Sequence, residues 1–267
     1  MRPARRRPPP CYLCAPGPAA RSRNQSVHEA CLRRALCKLV VAAAAALALS
    51  GAAQAQDRWQ GSLTLTSDYV QRGRSLSGGD PALQGEVSYR DAGGLQLGVW
   101  ASTTRRPLGP EVDLLLSLSR PLGDDWAWNL ALGYYSYPDS ELSVSYDRVE
   151  AGAILAWSDR VALLLAWSPQ TAVNTVSGFD RGPAAAGEIT AQWPLLSWLS
   201  LGAGLGYREL AAADDHWYWN LGLSARRGRA LLELSRIGTD ARARAQFGED
   251  EAGDRSVLTL TWRFAGS

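Results

Sequence analysis

Between residues 56 and 264 the chain repeats one pattern: a run of polar–apolar alternation about ten residues long, then a turn. Twelve such runs are found, at approximately 59–71, 82–90, 95–104, 111–120, 126–137, 144–157, 161–168, 184–193, 199–208, 217–226, 230–237 and 255–264. Successive side chains of a strand point to opposite faces, so each run predicts a β-strand with one wet and one greasy face. In the first run Trp59, Leu63, Leu65 and Tyr69 alternate with Gln60, Ser62, Thr64, Thr66 and Asp68. In the ninth, Leu199, Leu201, Ala203, Leu205 and Tyr207 alternate with Ser200, Gly202, Gly204, Gly206 and Arg208. Charges of both signs sit in mid-run on the polar face. No stretch of useful length carries a helical period.

The links between runs alternate in length. Those after even-numbered runs are short, at 91–94, 121–125, 158–160, 194–198 and 227–229. Those after odd-numbered runs are mostly longer and more polar, at 72–81, 169–183, 209–216 and 238–254, with 138–143 of middling length. Short turns at one end, long loops at the other and an even strand count are the plan of an outer-membrane barrel. The fold class this predicts is all-β: a single antiparallel transmembrane β-barrel of about 12 strands, with both termini on the periplasmic side. The long sixth run leaves room for a different count.

The aromatics distinguish lipid from a protein core. All 11 Trp lie in this part of the chain. They gather near run ends, at Trp126, Trp128, Trp157, Trp167, Trp193, Trp198, Trp217 and Trp219, with Tyr69, Tyr134, Tyr137 and Tyr207 at the long-link end. Two bands near the ends match the aromatic girdles at the two membrane interfaces. A sheet in lipid must also close, because an open edge would leave backbone groups unpaired.

The first 55 residues are a different kind of chain. They hold nine Lys/Arg and one acid, Glu29, whereas 56–267 holds 19 Arg, no Lys and 25 Asp/Glu. The net charge of +2 therefore reports a basic leader on an acidic body, not a nucleic-acid surface. Residues 39–49 are an apolar run, too short to span a bilayer as a helix, preceded by Arg33, Arg34 and Lys38 and followed by Ala53-Gln54-Ala55. This is the layout of a secretory signal peptide with cleavage after about Ala55. Residues 1–26, rich in Arg and Pro, are read either as a mis-assigned start, with the true start near Val27, or as a long leading segment. All four cysteines (Cys11, Cys14, Cys31, Cys37) lie in the leader, so the body needs no disulfide and no structural zinc. The domain reading is a leader over 1–55 and a barrel over 56–267.

Little else in the chain carries chemistry. The body has one histidine, His216, beside Asp214 and Asp215, and no sequence context marks a partner serine. It is read as a solvated loop residue. The run Gly248-Glu249-Asp250-Glu251 lacks the spaced ligands of an EF-hand loop and is read as a solvated acidic tip. Arg242 and Arg244 could pair with that run or with lipopolysaccharide phosphates. No enzyme, cofactor or nucleic-acid partner is expected.

The first run carries Ser67-Asp68-Tyr69-Val70, then Arg72-Gly73, then Asp80-Pro81-Ala82-Leu83-Gln84-Gly85. With Gly98-Val99-Trp100-Ala101-Ser102 and Tyr134-Tyr135-Ser136-Tyr137-Pro138, this resembles the TorF porin family, also described as Gcw_chp, a bacterial family of unknown function. The resemblance covers nearly all of 57–264. It implies an outer-membrane barrel with pore activity, and it implies no substrate and no catalytic residue. The last run, Val257 to Phe264, resembles the signal read by outer-membrane assembly machinery, although Ala265-Gly266-Ser267 follow the terminal aromatic.

Together these readings predict passive diffusion of small hydrophilic solutes or ions through a narrow charged lumen in the bacterial outer membrane. The predicted pore-lining residues are Asp68, Arg72, Glu86, Arg90, Asp113, Arg148, Glu150, Glu188, Arg208, Arg226 and Glu233. Asp68 and Arg72 share a face and could either set charge at the pore mouth or pair to pin the first long loop, with Gly73 making its turn. The expected partners are outer-membrane lipid, lipopolysaccharide, the assembly machinery and the solutes. A closed structural or adhesion barrel displaying its loops stays open as an alternative, as does a membrane-embedded hydrolase using His216.

Overall fold

The computed structural model describes residues 59–264. The leader, its cysteines, the cleavage site and the three residues after Phe264 lie outside the described residues. In chain order the strands are β1 (Trp59–Thr66), β2 (Val70–Gln71), β3 (Arg74–Ser75), β4 (Ala82–Arg90), β5 (Leu95–Ser102), β6 (Glu111–Leu122), β7 (Trp126–Ser136), β8 (Arg148–Trp157), β9 (Val161–Thr175), β10 (Gly178–Leu196), β11 (Leu199–Leu210), β12 (His216–Arg227), β13 (Ala230–Thr239) and β14 (Arg255–Phe264). β1 and β4 to β14 form one closed antiparallel barrel of twelve strands, while β2 and β3 pair only with each other. Closure is made by β1 against β14, from Gly61 opposite Phe264 to Thr66 opposite Thr259. Each barrel strand therefore has two neighbours, and no edge is left to aggregate or to face lipid unpaired.

The alternation read from the sequence sets the two faces. Leu63 and Leu65 of β1, Leu114 and Leu116 of β6, and Leu258 and Leu260 of β14 all stand exposed on the outside. Their neighbours in the chain turn inward. Thr64 and Thr66 reach across the closing seam to Thr261 and Thr259, each pair of hydroxyls at 2.9 Å. These inward Thr pairs satisfy one another while the leucines form an unbroken apolar band. Aromatics flank that band. Trp126 and Trp157 face each other in register at the short-turn end, and Tyr207 packs tilted against Trp217, ring centroids 4.9 Å apart, at the long-loop end.

Several expected boundaries move. The first run does not continue to residue 71 as one strand: β1 stops at Thr66, and the chain turns into the barrel as the β2–β3 hairpin. Tyr69, expected in the outer girdle, is buried inside as a result, and Tyr137, also expected there, is buried because it shares the inner-face parity of Tyr135 at the end of β7. The sixth run begins at Arg148, not 144. The stretch 169–183 is not a long link. β9 and β10 run on as a paired extension to Thr175 and Gly178, and a register shift between Gly182 and Ala184 takes up Pro183, which has no N–H to give the ladder.

The connection from β13 to β14 holds two short helices, α1 (Ala241–Phe247) and α2 (Glu249–Ala252). Asp240 caps α1, accepting from the Ala243 N–H at 2.9 Å. Ala243, Phe247 and Ala252 pack on Val173, Ala184 and Leu210, which ties the connection across the long-loop end of the barrel. The acidic run 248–251 is a helical turn in which Glu249 and Asp250 stay exposed, as expected of a solvated tip, while Glu251 turns in to pair with Arg74 and Arg105. Arg244 pairs locally, 3.7 Å from Glu249 and 3.5 Å from Asp254.

Candidate functional site

The feature that shapes the interior is the β2–β3 hairpin. Val70 pairs with Ser75 and Gln71 with Arg74, leaving Arg72 and Gly73 as a two-residue turn. Both have positive φ, 49° and 81°, the geometry of the tight turn that suits a right-twisted hairpin. The tip is pressed against the inner wall at β12 and β13: a Cβ on Gly73 would sit 2.5 Å from Thr239 Cγ2 and 2.7 Å from Tyr218 Cβ. From that tip Arg72 crosses to β8, where Nη1 and Nη2 donate to both oxygens of Glu150 at 2.7 and 2.6 Å. The base of the hairpin is held by Asp68, which accepts from Ser75 Oγ at 2.6 Å, Ser77 Oγ at 2.8 Å and Arg255 Nη1 at 2.8 Å.

A second network lies beside the hairpin. Glu111 is fully buried and accepts from the Tyr69 hydroxyl at 3.0 Å and the Tyr137 hydroxyl at 2.7 Å. Burial, with the Glu111 carboxylate next to them, pushes both phenols well above their ordinary range, so they stay protonated and donate. Arg148 lies 3.9 Å from Glu111 and donates to Tyr137 Oη at 3.3 Å and to Gln71 Oε1 at 3.2 Å. Its guanidinium stacks 3.9 Å over the Tyr135 ring. Tyr69 in turn packs on Trp100, a tryptophan that points inward.

Around these networks the interior holds two cavities. One, of about 400 Å³, lies toward the short-turn end and is lined by Gln192, Asn220, Ser224, Glu233 and Ser235 among others. The second, of about 100 Å³, lies on the loop side among Gln71, Arg74, Arg148 and Arg208. Among the described residues no cluster of three or more His, Cys, Asp or Glu side chains is arranged to hold a metal ion.

The predicted lining residues separate by height. Arg72, Asp113, Arg148, Glu150, Glu188 and Arg208 come together near the hairpin tip. Glu188 accepts from the Tyr218 hydroxyl at 3.0 Å, and Asp113 is buried opposite Trp100 on β5 and Tyr135 on β7. Glu86 lies on the inner face of β4, opposite Ser62 and Trp100. Glu233 lines the larger cavity. Arg90 and Arg226 sit exposed at the short-turn end, Arg90 donating to Gln96 Oε1 at 2.5 Å. Asp68 is not on a strand but in the turn into the hairpin. It does not pair with Arg72. The hairpin carries Arg72 away to Glu150, and Arg255 takes Asp68, so the two residues pin the loop through different partners. Gly73 does make the turn.

His216 is not solvated. β12 begins with it, so strand parity turns it inward opposite Arg208, where its ring packs 5.6 Å from Phe247 with no exposed surface. Several interior residues escaped sequence reasoning. Glu111 and Arg255 each open a strand on the inner face, and parity with Asp113 and Thr259 was available to place them. Arg74 of β3 and Glu251 of α2, distant in sequence, meet at 2.7 Å, with Arg105 on the same carboxylate. No local pattern marks that meeting.

A family model described as a bacterial protein of unknown function (Gcw_chp) matches residues 52–264. No curated protein matches the chain in sequence. Among solved structures the NanC porin aligns with a TM-score of 0.52 at 11% identity, covering 77% of this chain and 100% of that one. The KdgM porin aligns with a TM-score of 0.49 at 13% identity, covering 77% and 99%. OccAB3 of Acinetobacter baumannii aligns with a TM-score of 0.41 at 10% identity, covering 79% and 66%.

Proposed function

The chain belongs to the Gcw_chp family of bacterial proteins of unknown function, and from the barrel and its interior we propose that it is an outer-membrane porin passing small hydrophilic solutes through a narrow charged lumen. The observation that carries this reading is the division of faces. A continuous apolar exterior encloses an interior of Thr, Ser, Asn, Arg and carboxylate side chains with a cavity of about 400 Å³ opening toward the short-turn end. Such a wall suits a chain that sits in lipid and holds water. The likeness in fold to the NanC porin and the resemblance of the opening run to TorF porins point the same way. In this reading a signal peptide ending near Ala55 exports the chain and the assembly machinery inserts it. The short turns then face the periplasm, and the loops meet lipopolysaccharide outside.

The hairpin sets the bore. A twelve-stranded barrel is narrower than the 16–18-stranded porins that leave a wide channel. Arg72 on Glu150 narrows this one further at the level of Arg148 and Arg208. Solutes are sorted there by size and charge. Liposomes carrying the purified protein are expected to swell in small sugars and amino acids and not in oligosaccharides. Swelling equal to that of protein-free liposomes for every solute would sink the reading. The second reading, a closed barrel that displays its loops, is favoured by one observation: the latched hairpin and the Glu111 network fill much of the interior at one height.

A further inference from the structure

We infer that the cavity of about 100 Å³ on the loop side of the hairpin is a binding site for one small oxyanion, a carboxylate, sulfate or phosphate group. Four arginines line it, Arg74, Arg105, Arg148 and Arg208, against one acid, Glu251. That acid is already used: its two oxygens accept from Arg74 and Arg105. The neighbouring carboxylates are used as well. Both oxygens of Glu150 are taken by Arg72, and both oxygens of Glu111 by Tyr69 and Tyr137.

Arg208 is left over. It is 93% buried by its 7% exposure, and among the described residues it has no hydrogen bond or ion pair, its Nε being enclosed without an acceptor. The charges that act on it are mostly like charges, from Arg72, Arg74 and Arg148, against Glu150. Seven buried side-chain atoms lack a partner among the described residues, and four of them, Arg74 Nε, Arg148 Nε, Arg208 Nε and Thr171 Oγ1, belong to residues lining this one cavity. Buried polar groups are normally satisfied, so a cluster of unused donors around a void marks a missing acceptor. A guanidinium is an N–H fork matched to planar or tetrahedral oxyanions. At about 30 Å³ per water in the liquid, the space equals about three waters, enough for an anion of a few heavy atoms. Under the porin reading this places an anion station beside the hairpin on the path, and the inference that the channel prefers anions rests on that reading.

The test is calorimetric titration of the protein, purified from outer membranes, with sodium sulfate at constant ionic strength. Saturable binding of one sulfate per barrel is expected. Arg208→Gln should weaken it by at least about tenfold, the loss of a charge-assisted hydrogen-bonding partner. Arg229→Gln, which removes an exposed charge at a short turn, should leave it unchanged. No saturable binding, or equal binding in Arg208→Gln, overturns the site. If Arg208→Gln does not reach the heat-modifiable barrel form, Arg208→Lys decides: several-fold weaker binding supports the site and unchanged binding overturns it. Bilayer recordings on the same samples keep the two readings apart. Binding without conductance removes the porin and leaves the site, whereas conductance without binding removes the site alone.

Discussion

Arg72, at the tip of a hairpin folded into the barrel, holds both carboxylate oxygens of Glu150 on the wall it crosses to, at 2.7 and 2.6 Å. Both side chains are mostly buried, with 14% and 11% of their surface exposed. Removing one partner therefore strands the other charge. Glu150→Gln is expected to lower unfolding stability by about 3–5 kcal/mol, and Arg72→Gln together with Glu150→Gln by clearly less than the sum of the single changes. Urea unfolding of the four variants in detergent reads this. A coupling near zero would mean that the latch is not formed in the membrane-extracted protein.

Gly73 is placed by both backbone and space. Its φ is 81°, and a Cβ would meet Thr239 and Tyr218 on the barrel wall. Gly73→Val is expected to cost on the order of 1–3 kcal/mol from the strained backbone alone. It should also expose the hairpin to protease cleavage near Arg72 and Arg74. A wild-type unfolding midpoint and cleavage pattern would count against the inserted hairpin.

The two faces of β7 should answer a charge differently. Leu132 stands on the outer face with 49% of its surface exposed, and Ala131 beside it faces inward between Ser117 and Gly152. Leu132→Arg puts a cation into lipid and should cost about 2–4 kcal/mol if it lies near mid-bilayer. Ala131→Arg should cost less. Equal losses would argue that the exterior does not face lipid.

Tyr69 and Tyr137 give the fold a pH signature. Burial and Glu111 raise both phenols when folded, whereas in the unfolded chain they ionise near their ordinary value of about 10. Their contribution to stability is present in full below that unfolded value and is lost as pH rises from it toward the folded value. Unfolding midpoints should therefore fall above about pH 10, and fall less steeply in Tyr69→Phe with Tyr137→Phe. Identical slopes would remove these two hydroxyls from the account.

The barrel itself was legible because its physics is local. Period two places Leu63 outside and Thr64 inside wherever the strand ends, and the alternation of link lengths fixes the antiparallel order. The girdle was legible only in part. Trp126 and Tyr207 follow strand parity to the outside; Tyr137 keeps the inward parity of Tyr135, which the alternation already offered, whereas Tyr69 lies past the end of β1, where the chain turns inward and parity no longer holds. The same limit governs the interior pairs. Asp68 and Arg72 share a face if the first strand continues, yet the turn at Arg72 and Gly73 sends them to Arg255 and Glu150, 187 and 78 residues away in the chain. Arg208 was legible as an inward charge from the alternation of β11. Its lack of a partner was not, because that depends on which acids Arg72, Arg74 and the two tyrosines have already claimed.

The central claim is that a water-holding path runs through the barrel and that the Arg72 hairpin sets its width. Single-channel recording in planar bilayers tests it most directly, comparing the wild-type protein with Arg72→Ala under a salt gradient. The account predicts discrete small steps for the wild type, larger or more frequent openings for Arg72→Ala, and a reversal potential of the sign given by anion preference. Silent bilayers for both proteins, with heat-modifiable gel mobility showing that the barrels are folded, would contradict it and leave a closed barrel that displays its loops.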